Sequence, residues 1–314
     1  MKKVVLITST YNGAAYLPAM LDSIAAQTWP HIDLYVRDDG SKDDSVKILR
    51  HYQKSFPEGK RILLVNDTDQ DWGNKGSHQS YRYLIRHLPD ADFYLFCDQD
   101  DVWEPAKVER AVLHMEQYPP KVPVLYVHNY YVCDGDLHIE HTLPDRPSVS
   151  PEEMRQVNLA KVIMTGTWGG VGMAQGFNRL LKELAFDQGE ITPSVAVDCW
   201  ISWVVAGMNG ALVYDKEPLA YYRRHKGTFS SGDANGLLRY QDWSRHRKRH
   251  CSNIVNGIRD YHRLYGDRVS PRRAAFLALF DSSRRLGKFF YPHRLRNRLP
   301  DEIAFRLLIL AGQI

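Results

Sequence analysis

The first hundred residues alternate between strand-like and helix-like segments, and this alternation constrains the fold more than any other feature of the sequence. β-rich runs are followed by segments with helical spacing of apolar residues, and the connections are short. The strand-like segments are KKVVLITST, IDLYVRDD, RILLVND and DFYLFCD, and the helix-like segments are AAYLPAMLDSIAAQ, DDSVKILRHYQK and KGSHQSYRYLIRHL. Such a β-α-β series predicts an α/β fold, with a parallel sheet flanked by helices.

Polar residues cluster where three of these strands end. TSTYNG ends the first strand, RDDGS the second and CDQDD the fourth. In sheets of this kind ligands bind at the carboxyl ends of the strands, so we expect the three clusters to converge on one site. The sequence lacks both common Gly-rich phosphate-binding loops. STYNGAAYL offers only Gly13 where a dinucleotide-binding enzyme would have GxGxxG, and the GxxxxGK[ST] motif of P-loop enzymes is absent. The sequence therefore predicts that phosphate is held by other means.

The most acidic cluster follows an apolar run, in YLFCDQDDVW, where Asp98, Asp100 and Asp101 occupy three of four positions. Crowded carboxylates repel one another and need a cation or several hydrogen-bond donors nearby. Carboxylate oxygens suit Mg²⁺ or Mn²⁺ that bridges to substrate phosphates. Alternatively, Asp100 or Asp101 caps a helix that begins near Glu104 and Pro105, which would explain one aspartate of the three.

Composition indicates a globular, intracellular protein. With 314 residues, 44% of them hydrophobic, the chain can bury a substantial core in one large domain or in one domain with an appendage. The four cysteines are far apart and form no CxxC pair, which argues against a disulfide framework and a zinc site and favours a reduced cytosol. MKKVVLITSTYNG lacks a long apolar region and a small-residue cleavage site, so we expect a first strand and not a signal peptide.

Charge is distributed unevenly along the chain. Residues 221–314 carry 20 Lys and Arg against 7 Asp and Glu, whereas residues 1–220 carry 21 against 30. Most of the positive charge lies in SRHRKRH (244–250), SPRRA (270–274) and YPHRLRNR (291–298). Nucleic acid, anionic lipid and a pyrophosphate-bearing substrate would each suit such a surface, and a solvated helix face is the plainer explanation of any single run.

Three motifs in order resemble a known family. TSTYNGAAYLPAMLDSIAAQTW, then IDLYVRDDGSKDDS, then YLFCDQDDVW look like the inverting nucleotide-sugar glycosyltransferases of family 2, which have a GT-A fold. The resemblance runs from about residue 3 to residue 230. DQDDVW in particular is similar to bacterial rhamnosyltransferases that build cell-wall and capsular polysaccharides.

The resemblance implies that the ends of the first two strands bind the nucleotide. Thr10, Tyr11 and Asn12 would contact the donor, and the tyrosine ring would supply a stacking face for the base. Asp39 would accept the imide N–H of uracil or thymine, a hydrogen bond for which a carboxylate is suited.

The resemblance also assigns the acidic loop to a divalent cation. Asp98 would face the ribose or the metal, Asp100 would bind the metal that bridges the two phosphates, and Asp101 would support the loop. YYRRHKGTFSS resembles a YRxH segment near the end of the catalytic domain, from which His225 would reach the metal or the diphosphate. The implied cofactor is Mg²⁺ or Mn²⁺, which neutralises the negative charge of the leaving nucleoside diphosphate.

Inversion further requires a base on the opposite face of the sugar. Asp198, in SVAVDCWISWVV, occupies the position of the family's ED- or HD-type motif before an aromatic helix, although Val197 replaces the acidic residue or histidine of that motif. Upstream, TGTWGGVGMAQGFNR resembles the family's Gly-rich segment, in which Gly166, Thr167 and Gly170 would line the sugar or acceptor site.

Local structure offers another explanation for several of these positions. Asn12 and Gly13 suit an ordinary turn after the first strand. Ser41 could cap the DDSVKILRHY helix, with Asp44 completing an S-x-x-D pattern. Asp198 could likewise be the N-cap of the CWISWVVAGM helix.

Together these features predict an inverting glycosyltransferase with a GT-A catalytic domain over residues 1–230 and a basic, mainly helical extension over residues 231–314. The predicted donor is dTDP-rhamnose, with a UDP-hexose as the alternative. The predicted acceptor is a polyprenyl-pyrophosphate-linked saccharide used in cell-wall, capsule or O-antigen synthesis. We expect a cytoplasmic protein whose extension contacts acceptor, the inner face of the membrane or a second subunit, and no nucleic-acid partner.

Two other classes of protein fit part of the sequence. A non-catalytic nucleotide-sugar binding module would have no use for a base, so the presence of Asp198 beside Asp39, Asp98 and Asp100 argues against it. A nucleotidyltransferase would need a Gly- and Arg/Lys-rich loop near the N-terminus for its triphosphate, and STYNGAAYL lacks it.

Overall fold

The computed structural model describes residues 2–65, 76–165, 170–192, 195–225 and 236–314, with the backbone alone for 236–250. The strands are β1 (Val4–Thr10), β2 (Ile32–Asp38), β3 (Lys60–Leu64), β4 (Phe93–Phe96), β5 (Val102–Trp103), β6 (Val124–Cys133), β7 (Ile139–Thr142), β8 (Gln175–Asn178) and β9 (Ala211–Arg223). The helices are α1 (Leu17–Ala25), α2 (Ser45–Ser55), α3 (Ser77–His87), α4 (Lys107–Met115), α5 (Pro151–Met154), α6 (Leu159–Thr165), α7 (Arg179–Phe186), α8 (Val197–Gly207), α9 (Gly236–Tyr265), α10 (Pro271–Asp281), α11 (Arg285–Phe289) and α12 (Leu299–Leu310).

The amino-terminal half of the sheet is parallel, which confirms the prediction from the alternating segments. β1 pairs in parallel with β2 and with β4, and β2 pairs in parallel with β3. β1 is buried over nearly its whole length, as expected for a strand that helices cover on both faces. Its register places Thr10 opposite Asp38, so the polar clusters that follow β1 and β2 lie side by side.

The remaining strands extend the sheet in mixed orientation, and the order along the sheet is β3-β2-β1-β4-β8-β6-β9-β5, with β7 paired to β6. β8 is antiparallel to β4, and β6 runs antiparallel to β8 and parallel to β9. The short β5 begins directly after the acidic loop and pairs with the end of β9, Val102 opposite Tyr221. This pairing brings residues 223–225 next to residues 98–101.

Helices α9 and α10 pack on the rest of the chain. Tyr261 and Tyr265 are buried against the ring of Trp200 in α8, with ring centroids 5.7 and 6.0 Å apart. Tyr265 donates a 2.6 Å hydrogen bond to the carbonyl of Leu184. In FLALF, Phe276, Leu277 and Phe280 are buried, so this apolar run faces the core.

One of the three basic runs is only partly solvated, since Arg272 is exposed and Arg273 is buried. In SPRRA, Arg273 is buried and its guanidinium donates to the carbonyls of Met154 and Gly207 and to the side chain of Asn209. The expectation of a basic surface was wrong for Arg273, because carbonyl oxygens of the protein replace water around its two terminal nitrogens. The side chains of the run at 244–250 lie outside the described residues. No helix in the described ranges combines the length and the apolarity of a membrane span.

Candidate active site

A cleft of about 500 Å³ lies at the carboxyl ends of β1, β2 and β4. Five of the residues predicted from the sequence line it, namely Tyr11, Asp39, Asp98, Asp100 and Asp198. Four others, Thr10, Asn12, Gly170 and His225, lie outside its lining. Gly166 and Thr167 lie outside the described residues. The three polar clusters and Asp198 therefore meet at one site, although they come from distant parts of the sequence.

Gln99 ties the first strand to the acidic loop, a role that the sequence analysis missed. Its carboxamide oxygen accepts from the hydroxyl of Thr10 at 2.7 Å and from the backbone N–H of Tyr11 at 2.9 Å. A Cβ at Gly13 would lie 2.4 Å from the same oxygen, so a larger residue there would displace the Gln99 carboxamide from these contacts. Thr10 thus positions the loop from a buried location, while Tyr11 is exposed in the cleft.

The loop after β2 is fastened to the loop after β1. The hydroxyl of Ser41 accepts from the backbone N–H of Asn12 at 2.8 Å and donates to Asp38. The side-chain oxygen of Asn12 accepts from the backbone N–H of Lys42 at 2.8 Å, and Asn12 has the positive φ of 49° that asparagine tolerates in a turn.

The predicted cap at Ser41 was therefore wrong. Asp44 is the N-cap residue of α2, without a side-chain capping bond, and the Ser41 hydroxyl is engaged between the two loops. The proposed cap in the acidic loop was also wrong, since α4 begins at Lys107 after Ala106, beyond the reach of Asp100 and Asp101.

Asp39 is held by an ion pair at the base of the cleft. The carboxylate accepts from the guanidinium of Arg37 at 2.6 Å and from the backbone N–H of Gly76 at 2.8 Å, and both charged side chains are buried. Breaking a buried pair of this kind is costly, because either charge alone would be left uncompensated. Asp39 therefore presents a fixed acceptor to the cleft.

Asp98 is a carboxylate whose charge is poorly compensated. It accepts a 2.7 Å hydrogen bond from the hydroxyl of Tyr81, a residue of α3. Burial first, and the charge of Asp100 second, raise the pKa of Asp98 to about 6. Burial and the charges of Asp100 and Asp98 also raise the pKa of Asp101 well above its usual range. Crowded carboxylates of this kind suit a site at which a cation offsets their charge.

Asp101 is buried behind the acidic loop and contacts the end of β9. One of its carboxylate oxygens accepts from the backbone N–H of Arg223 at 3.0 Å, whereas the other is buried and accepts from no described residue.

Lys107 is fully buried, with its ammonium 2.8 Å from the carbonyl of Met173 and 3.4 Å from the centre of the Trp103 ring. Burial lowers the pKa of Lys107 to about 7.

Asp100 and His225 are two predicted metal ligands whose side chains are in direct contact. The Nε2 atom of His225 lies 2.9 Å from a carboxylate oxygen of Asp100, and the histidine ring stacks on Tyr16 with centroids 4.4 Å apart. One or two carboxylates together with substrate phosphates are enough to bind Mg²⁺. The donor set of Asp100, Asp98 and His225 therefore fits a divalent cation that completes its coordination with donor phosphates and water.

A different trio is closer together. Within the described ranges, the one group of three ligand atoms within 4.8 Å of one another belongs to Asp134, Asp136 and His138, in the β6–β7 turn. Asp134 also accepts from the backbone N–H groups of Asp136 and His138, so hydrogen bonds of the turn account for this arrangement.

Asp198 also lines the cleft and lies in the first turn of α8. Ala196 is the N-cap residue, so the alternative that Asp198 caps the helix was wrong in position. A carboxylate oxygen of Asp198 accepts from the backbone N–H of Cys199 at 2.9 Å. Burial raises the pKa of Asp198, while this N–H group and the nearby His78 lower it. His78 lines the cleft from α3, and no sequence motif pointed to it.

A model of glycosyl transferase family 2 matches residues 5–181, more than half of the chain. The chain is 29% identical over 228 residues to the uncharacterized glycosyltransferase alr2836 of Nostoc sp., covering 71% of this chain and 65% of the relative. It is 30% identical over 106 residues to the dTDP-rhamnosyl transferase RfbG of Shigella flexneri, covering 33% of this chain and 35% of that one. The chain thus spans less than two thirds of either relative.

Solved structures show the same fold. The structure of S. aureus TarS 1–349 in complex with UDP-GlcNAc matches with a TM-score of 0.59 at 14% identity, over 99% of this chain and 80% of that chain. The mannosyltransferase PcManGT from Pyrobaculum calidifontis, in complex with GDP-Man and Mn²⁺, matches with a TM-score of 0.52 at 19% identity, over 99% and 74%. The predicted α/β core of GT-A type with a helical C-terminal extension is confirmed.

Proposed function

The chain belongs to glycosyl transferase family 2, and from this premise we propose that it transfers a sugar from a nucleoside-diphosphate donor to a saccharide acceptor, with inversion. The observation that carries the proposal is that Asp98, Asp100 and Asp198, which come from distant parts of the sequence, line one cleft. Leaving-group stabilisation and proton removal are the two tasks of an inverting transferase, and they need separate acidic groups on opposite sides of the sugar.

The nucleotide end of the donor belongs at the carboxyl ends of β1 and β2. Tyr11 offers an exposed ring in the cleft for the base, and Asp39 a fixed carboxylate for the imide N–H of uracil or thymine. The dTDP-rhamnosyl transferase RfbG is the relative that favours dTDP-rhamnose as donor. TarS, solved with UDP-GlcNAc, favours a UDP-hexose as the alternative.

Asp198 is the proposed base. As the acceptor oxygen forms its bond to the anomeric carbon, the proton of the acceptor hydroxyl passes to a carboxylate oxygen of Asp198. The bond from the anomeric carbon to the phosphate oxygen breaks, and its electron pair leaves with the nucleoside diphosphate. Because burial raises the pKa of Asp198, its carboxylate is a better proton acceptor near neutral pH than an exposed aspartate.

Asp100, together with Asp98 and His225, is the proposed binding site for Mg²⁺ or Mn²⁺. When bound, such a cation offsets the charge that accumulates on the leaving diphosphate. The raised pKa of Asp98 supports this assignment, since a carboxylate held beside another carboxylate is stabilised by a neighbouring cation. Asp101 and Gln99 hold the loop, and Gly170 remains a proposed contact of the sugar or acceptor.

We assign the reaction to residues 1–230 and acceptor delivery to residues 231–314. The excess of positive charge in the second range supports an acceptor linked to polyprenyl pyrophosphate, held at an anionic membrane face. Such an acceptor serves in bacterial cell-wall, capsule or O-antigen synthesis.

The test is a donor panel. The purified chain is incubated with dTDP-rhamnose, UDP-glucose, UDP-galactose and GDP-mannose, each with Mg²⁺, with Mn²⁺ and with EDTA, and nucleoside diphosphate release is measured. We expect release from dTDP-rhamnose that EDTA abolishes. Tight donor binding without release, in the presence of lipid-linked saccharide acceptors, would instead support a non-catalytic binding module.

A further inference from the structure

Helix α12 leaves a wide apolar face uncovered. Leu299, Ile303, Leu307 and Leu310 are exposed and recur at intervals of three or four residues, which places them on one side of the helix. Glu302, Phe305, Leu308 and Ile309 are buried on the other side. A helix that buries one apolar face and exposes a second apolar face is typical of an interaction site for another molecule or a membrane.

Helix α11 lies beside α12 and adds to this surface. Leu286 of α11 is exposed, and so is Phe290, which directly follows α11 and is 71% exposed. The guanidinium of Arg306 in α12 donates to the carbonyls of Phe289 and Tyr291 at the end of α11, which fixes the two helices together. Of the nine large apolar side chains that are exposed among the described residues, six lie in these two helices or next to them. We call these six residues the α11–α12 face: Leu286, Phe290, Leu299, Ile303, Leu307 and Leu310.

Positive charge predominates beside the α11–α12 face. Residues 284–298 contain six Arg and Lys and no Asp or Glu; Lys288 among them is buried, and the one exposed carboxylate of α12 is Asp301. Arg294 and Arg298 are exposed, and Arg298 directly precedes the first apolar residue of α12. At the other end of that helix, the guanidinium of Arg285 lies against Gly312, where a Cβ would be 2.5 Å from its Cζ. An apolar helix face rimmed by Arg and Lys is typical of segments that lie in the headgroup region of a bilayer.

We propose that the α11–α12 face binds the surface of an anionic lipid bilayer. The apolar side chains would enter the acyl boundary while the arginines contact lipid phosphates. A second copy of the chain is a poorer occupant, because a two-fold contact through this face would bring two rims of the same charge together. The proposal extends the membrane contact suggested above, yet it requires neither the donor nor the reaction to be correct, since lipid binding is measured without substrates.

The test compares two matched double variants in vesicle co-sedimentation. Ile303→Ser with Leu307→Ser removes two side chains of the face that are 54% and 57% exposed. Ile139→Ser with Leu113→Ser makes the same chemical change at side chains that are 53% and 55% exposed elsewhere. Vesicles are phosphatidylcholine alone or with about a third phosphatidylglycerol, at low salt. Far-UV circular dichroism and thermal melting establish that both variants fold like the parent.

We expect the parent and the Ile139/Leu113 variant to bind the anionic vesicles equally. The Ile303/Leu307 variant should bind them more weakly by a factor on the order of ten or more, since each side chain gives up roughly half of its burial energy. Arg294→Gln with Arg298→Gln should weaken binding to anionic vesicles selectively and reduce its dependence on salt.

Two kinds of result would overturn the proposal. The first is a parent chain that fails to sediment with anionic vesicles, or an Ile303/Leu307 variant that sediments as well as the parent. The second is a parent that is dimeric by sedimentation velocity and becomes monomeric in the Ile303/Leu307 variant without change in vesicle binding, which would assign the face to a second copy. Nucleoside diphosphate release with a water-soluble acceptor, measured on the same variants, separates a failure of this proposal from a failure of the transferase assignment.

Discussion

Asp98→Asn is predicted to stabilise the metal-free protein at neutral pH. The carboxyl of Asp98 ionises with a pKa of about 6 in the folded chain, whereas an aspartate in an unfolded chain ionises near 3.9. Between these values the folded state binds more protons than the unfolded state, so the free energy of unfolding falls as pH rises. Asparagine keeps an oxygen that can accept the hydrogen bond from Tyr81 and removes the charge.

The size of the effect follows from the two pKa values. The penalty for ionising Asp98 in the folded state is about 1–2 kcal/mol at pH 5 and about 3 kcal/mol at pH 7.5. These are upper values, because the carboxylate lines an open cleft in which water screens part of the repulsion. The stability advantage of the variant over the parent should therefore grow by up to about 1 kcal/mol between pH 5 and pH 7.5.

Urea unfolding followed by circular dichroism, in EDTA at both pH values, measures this difference. A gap between variant and parent that is the same at pH 5 and pH 7.5 would refute the reasoning, since it would mean that Asp98 ionises without penalty. Addition of Mn²⁺ at pH 7.5 should then stabilise the parent more than the variant, because the cation offsets a charge that only the parent carries.

Three further results are expected. Asp100→Ala should abolish metal-dependent donor binding in calorimetric titration, whereas Asp136→Ala, in the exposed trio, should leave it unchanged; the reverse pattern would move the cation to the β6–β7 turn. Gln99→Met should lower the free energy of unfolding by about 1–3 kcal/mol, because it leaves the buried hydroxyl of Thr10 without its acceptor; an unchanged urea midpoint would contradict this. Truncation after residue 235 should yield aggregated protein, because it uncovers the apolar surface beneath α9 and α10, and a soluble monomer would show that the core folds alone.

The parallel half of the fold could be predicted from the sequence because its signals are local. Each strand from β1 to β4 is a short apolar run, each intervening helix has helical spacing, and short connections leave little choice of topology. The acidic loop was recognisable for a similar reason, since Asp98, Asp100 and Asp101 stand within four residues of one another.

Features that depend on contacts between distant residues could not be predicted. The bond between Thr10 and Gln99 joins positions 89 residues apart, and the approach of His78 to Asp198 depends on how α3 packs against α8. The expected cap at Ser41 failed for the same reason, because the hydroxyl is taken by Asn12 of another loop. Burial of Arg273 depends on carbonyls that only the folded chain brings together.

Asp198→Asn provides the most direct test of the claim that this cleft performs inverting sugar transfer. With the donor identified in the panel, kcat and the dissociation constant of the donor are measured separately, and Asp90→Asn, an exposed carboxylate remote from the cleft, is the control. We predict that kcat falls by about 10²–10⁴-fold while donor affinity stays within about twofold of the parent, because the base acts on the acceptor hydroxyl. Donor affinity that falls as far as activity, or transfer that survives the substitution, would contradict the account.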